Sequence, residues 1–140
     1  MNPDLSVNVW AVLGAAALNM VIGSLWYGPL FGKQWMAAMG WTPERMKDPE
    51  QKKKGQKAMM WMVLTSLITA YVLTLFVYNL SAATWGEGAM LGFWLWLGFQ
   101  ITLVLEGMIF EGKKKELVFI NGGYHLAALC AMGALLAIWA

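Results

Sequence analysis

The chain has 140 residues, of which 59% are hydrophobic, 14% aromatic and 13% charged, with a mean hydropathy of +0.54. A soluble domain is about 45–50% apolar and about a quarter charged, and disorder needs low hydrophobicity with high net charge; nine Trp and eleven Met exclude both. The composition is that of a membrane protein, and neither the net charge of +2 nor the single Cys130, which forbids an internal disulfide, adds to that.

Four apolar runs stand out, at 5–26, 58–80, 89–110 and 117–139, each of 22 or 23 residues. At 1.5 Å per residue each spans about 33 Å, enough for a hydrocarbon core of about 30 Å. They predict an all-α integral membrane protein, a four-transmembrane-helix bundle forming one membrane domain over residues 1–140. The first run follows Asp4 rather than a basic segment and is longer than a signal peptide's apolar stretch, so it is expected to be retained.

Seventeen of the 18 charged residues lie outside these runs, and all ten Lys and Arg fall in two links, 32–57 and 111–116. The positive-inside bias puts both links in the cytoplasm and both termini outside. The basic links are solvated collars that can also attract anionic lipid head groups. They lack the interleaved aromatics of a nucleic-acid surface.

Along the chain, Pro29 removes a backbone donor and pushes Gly28 out of the α region, so the first helix is expected to break or kink there. Beyond it, Phe31, Trp35, Met36 and Met39 recur at helical spacing and predict a short amphipathic helix in the interface, stopped by Gly40. Thr42-Pro43 and Asp48-Pro49 each read as a cap before a first-position proline, with Gln51 completing a capping box on Asp48. The second helix is expected to start in the cytoplasm near Pro49, although Gly55 weakens that stalk. The short links at 81–88 and 111–116 predict that spans two and three, and three and four, are antiparallel neighbours.

Trp10, Trp85 and Trp139 near the outer ends, and Trp26, Tyr27, Trp35, Trp41 and Trp61 near the inner ones, form the expected aromatic belts. Small residues make close-packing stripes: Ala11, Ala15, Asn19, Gly23 and Tyr27 on the first span, Gly123, Ala127 and Ala131 on the fourth, and a weaker pair, Gly88 and Gly92.

With Asn19 and Gly23 upstream, the string Trp26-Tyr27-Gly28-Pro29-Leu30-Phe31-Gly32-Lys33-x-Trp35 resembles a family of small bacterial membrane proteins catalogued as a domain of unknown function with four spans. Ile120-Asn121-Gly122-Gly123-Tyr124-His125-Leu126, followed by Met132-Gly133-Ala134 and Trp139, is similar to that family's final span. The resemblance covers nearly the whole chain. It implies fold and topology and brings no activity, cofactor or site residue.

Ionisable groups inside the bilayer are functional-site candidates by default. Only Glu106 and His125 qualify, at about 6 and 12 Å from the inner boundary. Asn19, Ser66, Gln100 and Thr69 come to about 10, 12, 15 and 16 Å by the same count, so every span contributes a polar group to one layer in the inner half. Asn121 and His125, four apart, share a helix face. The layer reads either as interhelical hydrogen bonding or as a cavity in which His125 and Glu106 titrate. Metal binding by that pair falls short of the usual three or four ligands, and no metal or cofactor is expected.

No positioned nucleophile, carboxylate pair or phosphate-binding loop argues for an enzyme. Two classes remain. The first is a structural or accessory subunit of a membrane complex, which suits the Trp and Met content. The second is a proton-linked transporter or channel, which four spans could form only as a homo-oligomer. Small multidrug exporters share the span number, but their first-span carboxylate has no counterpart after Asp4.

Overall fold

The computed structural model describes residues 7–139; Asp4 and the Leu5–Ser6 start of the expected first span lie outside them. The described chain consists of helices and short connections, and four segments are long and apolar enough to cross a membrane: Val9–Leu30, Pro49–Asn79, Trp85–Glu111 and Lys115–Trp139.

Helix α1 (Val9–Leu25) starts later than the apolar run, because Asn8 is extended and its side chain accepts from the Trp10 and Ala11 amides. The expected interruption at Gly28-Pro29 takes the form of a widened turn over Trp26–Leu30, with Gly28 out of helical geometry and the Phe31 amide donating to the Trp26 carbonyl five residues back, at 2.8 Å. Proline has no amide to continue the ordinary ladder, so the helix widens instead of ending. Helix α2 (Gly32–Met39) follows and ends at Gly40 in the left-handed region, as a glycine C-cap does. It packs against the last helix, burying Gly32 and half-burying Trp35 and Met36.

Thr42 caps the short α3 (Pro43–Lys47) and Asp48 caps α4 (Pro49–Asn79). Asp48 accepts from the Glu50 amide at 3.1 Å, and the reciprocal bond from Gln51 is absent among the described residues. Gly55 does not interrupt α4, whose 31 residues extend about 47 Å, leaving Pro49–Lys57 as an almost wholly exposed basic stalk. The turn after it delivers Thr84, whose hydroxyl accepts from the Glu87 amide while the Glu87 carboxylate accepts from Ala83 and Thr84. That reciprocal cap starts α5 (Trp85–Phe99). At Gln100 the third span breaks, and α6 (Ile101–Glu111) completes it up to Gly112, which is left-handed. Sequence periodicity had given one unbroken span here.

Helix α7 (Lys115–Trp139) is the hub, packing on α1, α2, α4, α5 and α6. Its closest neighbour is α5. A Cβ at Gly88 would land on the Gly133 main chain, and one at Gly92 on the main chain of Leu129 and Cys130. This pair of glycines, the weakest of the three expected stripes, therefore marks the tightest helix crossing. The first-span stripe is also inward: Ala11 and Ala15 have no exposure, and Gly23 is buried against Met62 and Tyr124. On α7, Gly123 faces the Trp26 ring, whereas Ala127 and Ala131 are half-buried.

The short 81–84 turn does not make α4 and α5 packing partners: the two helices have no substantial contact. Glycines let α5 settle on α7, while Phe76 of α4 and Leu95 and Phe99 of α5 stand across a cleft. The packed core lies toward the end of the bundle where α1 begins and α7 ends, where Ala11, Ala15 and Ala16 meet Ala70, Leu73 and Val77 and, from α7, Leu129, Met132 and Leu136.

Candidate functional site

Toward the end of the bundle where α1 ends and α7 begins, apolar packing gives way to a chain of hydrogen bonds across three spans. Asn19 on α1 donates through Nδ2 to the fully buried Ser66 hydroxyl of α4 at 2.7 Å, and its Oδ1 accepts from the Tyr124 hydroxyl of α7 at 2.5 Å. Tyr124 stacks edge-on against Tyr27, whose hydroxyl donates to Asn121 Oδ1 at 2.6 Å. Trp35 and Trp41 extend the aromatic cluster from Tyr27, with the Arg45 guanidinium 5.0 Å over the Trp41 ring.

The same stretch of α7 is gripped from two sides. Trp26 Nε1 donates to the Ile120 carbonyl and Trp96 Nε1 to the Gly122 carbonyl, both at 2.8 Å. A Cβ at Gly123 would meet the Trp26 ring at 2.9 Å, and one at Gly122 the Ile101 side chain at 2.8 Å. Glycines at 122 and 123 are thus the room into which the indole and isoleucine side chains fit.

Above this grip lies a cavity of about 230 Å³, lined by Asn19, Thr65, Thr69, Gln100, Tyr124 and His125 with Met62, Ala128, Leu129 and Met132. Four members of the expected polar layer, Asn19, Thr69, Gln100 and His125, converge here, and Ser66 backs the wall through its bond to Asn19. Thr69, Gln100 and His125 are half-buried, and their side chains make no hydrogen bond to the described residues. Gln100 reaches the cavity from the break between α5 and α6; non-helical backbone at membrane depth is tolerated where it lines a cavity or is covered by protein.

Glu106 is not part of this arrangement. It lies on α6 beyond the break, exposed and outside the cavity lining, so the pairing with His125 expected from depth alone does not form. Helical spacing alone sets Glu106, six residues beyond Gln100, about 120° away from it around the axis. Asn121 is likewise engaged by Tyr27 instead of facing the cavity with His125. Among the described residues no three His, Cys, Asp or Glu side chains come together in a way that could hold a metal ion. Sequence alone does not place Tyr124 or the hydroxyl of Tyr27 in the polar site: Tyr27 reads as a belt and stripe residue, and Tyr124 appears only within the string that carries the family resemblance. Their cue was Tyr124 directly beside His125.

A cavity whose exposed polar groups are amide, hydroxyl and imidazole, with no carboxylate or cation among its lining residues, can bind water or a neutral hydrogen-bonding molecule. At about 30 Å³ of liquid volume per water it has room for several. No curated protein and no solved structure matches the chain. A family model described as "Protein of unknown function (DUF1761)" matches residues 10–137. With nearly its whole length covered, from Trp10 to Ala137, the chain belongs to the DUF1761 family of multi-pass membrane proteins of unknown function.

Proposed function

We propose that this protein binds a small hydrogen-bonding solute inside the bilayer and works as a transporter-class subunit in a homo-oligomer. On this reading it resides in a bacterial inner membrane with its basic links in the cytoplasm and both termini outside. The observation that carries it is the convergence of Thr69, Gln100 and His125, from three different spans, on one cavity in which they leave each other unbonded. Groups serving only as glue would pair across the helices, since an unsatisfied polar group in hydrocarbon is costly. With Glu106 away from the cavity, any proton coupling falls to His125 alone.

The test is solvent access. In a Cys130→Ala background, Thr69→Cys in liposomes is expected to react with a membrane-impermeant thiosulfonate, while Leu103→Cys on the exposed face of α6 stays protected. Protection of both would refute a hydrated site.

An accessory, complex-forming role has one observation of its own. The third span is the least covered by its own chain, with 11% of its most apolar window buried, and Trp94, Phe99 and Leu103 project from it. Cross-linking from this face to a different membrane protein, in cells, would favour that role over the homo-oligomer.

A further inference from the structure

The polar cavity continues sideways. Thr69, Gln100 and Leu129 also belong to a second hollow, of about 440 Å³, in the cleft that separates α4 from α5. Its walls are apolar: Ile68, Val72 and Phe76 on one helix face Leu95 and Phe99 on the other. Ile68, Val72 and Phe99 are all exposed, so the cleft opens in the direction where a membrane-embedded helix pair meets lipid. The two hollows meet at the interrupted third span, the kind of broken helix at which membrane proteins build substrate sites.

Together they form a narrow apolar slot that ends on hydrogen-bonding groups. An ordinary phospholipid fits this poorly, because its charged head belongs at the interface, whereas Gln100 lies at about 15 Å depth. Charge is also missing from the protein side: none of the residues lining either hollow is Asp, Glu, Lys or Arg.

We propose that the α4/α5 cleft takes a single-chain amphiphile with an uncharged hydrogen-bonding head. Its tail lies between Val72 and Phe99, and its head is bound by Thr69, Gln100 and His125. The ligand reaches the site from within the bilayer. This inference rests on the solute-binding reading above and names the class of solute.

The test uses the full chain in phospholipid nanodiscs with a photoreactive diazirine analogue of hexadecanol. Labelling is expected to concentrate on the cleft walls, around 68–76 and 95–99. Unlabelled hexadecanol should suppress it about tenfold more effectively than hexadecane does, the ratio expected of one or two hydrogen bonds to the head. Gln100→Leu with His125→Leu should erase that preference, and Val72→Trp, at an exposed position, should block labelling without disturbing the core. Labelling spread evenly over the lipid-facing helices, or equal competition by alcohol and alkane, would overturn the proposal. If Thr69→Cys is water-accessible while labelling is non-specific, the amphiphile inference fails and the solute-binding reading stands. If Thr69→Cys is protected, the solute-binding reading itself fails.

Discussion

Replacing Gly92 with alanine sets a methyl group against main chain. The added Cβ would sit on the carbonyl of Leu129 and close to the Cys130 amide, and neither can swing aside as a side chain could. The helices must separate or slide, and overpacking of this kind costs about 1–3 kcal/mol. Against that, alanine in a helix interior gains about 0.5–1 kcal/mol over glycine. The two ranges leave a net loss of up to about 2.5 kcal/mol, and a clash with main chain that cannot swing aside places Gly92→Ala in the upper part of that range. Gly98 supplies the control: a Cβ there meets nothing within 4 Å, so Gly98→Ala keeps the propensity gain without the clash. Equilibrium unfolding in mixed detergent micelles, followed by far-UV circular dichroism, reads both on one scale. If Gly92→Ala is as stable as the parent, or if the two variants shift alike, α5 and α7 do not meet at these glycines.

Three further outcomes follow from the same geometry. Asn19→Ala removes the bonds to Ser66 and Tyr124 and strands a fully buried hydroxyl; with membrane hydrogen bonds averaging about 0.6 kcal/mol each, a loss of about 1 kcal/mol or more is expected in the same unfolding assay. Trp26→Phe removes the indole donor to Ile120 together with part of the ring's packing, the lost bond alone costing about 0.5–1.5 kcal/mol; Gly123→Ala, which displaces the whole ring, should also be destabilising, and a Gly123→Ala variant as stable as the parent would show that the ring's fit is not what holds α7. Glu106→Gln should leave both the unfolding midpoint and the thiosulfonate reactivity of Thr69→Cys unchanged, and a drop in that reactivity would return Glu106 to the site.

The spans were legible because bilayer thickness constrains length and apolarity directly, and the Gly28-Pro29 interruption because proline lacks an amide. The break at Gln100 was not. No proline marks it, and the bond from the Thr102 hydroxyl back to the Gly98 carbonyl at 3.0 Å belongs to a pattern that bends helices without a sequence cue strong enough to separate it from the many threonines that do not. Of the two neighbours expected for the third span, α5 packs on α7 and not on α4. A short turn says which helices are close at one end, but which pair packs along its length depends on matching small surfaces, and Gly133 lies off the Gly123, Ala127 and Ala131 stripe that repetition singled out. The Thr84 to Glu87 cap, by contrast, stood in plain view as a Thr-x-x-Glu box and was passed over.

Depth and direction explain what was and was not legible in the site. A rise of 1.5 Å per residue sets how far each polar group lies along its helix, and the structure brings Asn19, Thr69, Gln100 and His125 to one cavity with Ser66 bonded to Asn19. Azimuth decides which of them meet: six residues beyond Gln100, Glu106 is turned about 120° from it by helical spacing alone, and it lies exposed outside the cavity. The two strings that carried the family resemblance also have a physical meaning the sequence could not supply. Trp26 and Tyr27 of the first string bond to Ile120 and Asn121 of the second, and Tyr27 packs on Tyr124, which in turn bonds to Asn19. They are two halves of one contact that fixes α7 against α1. His125 stands next to that contact and takes its position from it. The lock is therefore structural in its own right, yet it sets where the imidazole meets Thr69 and Gln100. A variant that loosens the lock should disturb the cavity, while one that empties the cavity, such as His125→Leu, should leave the lock intact.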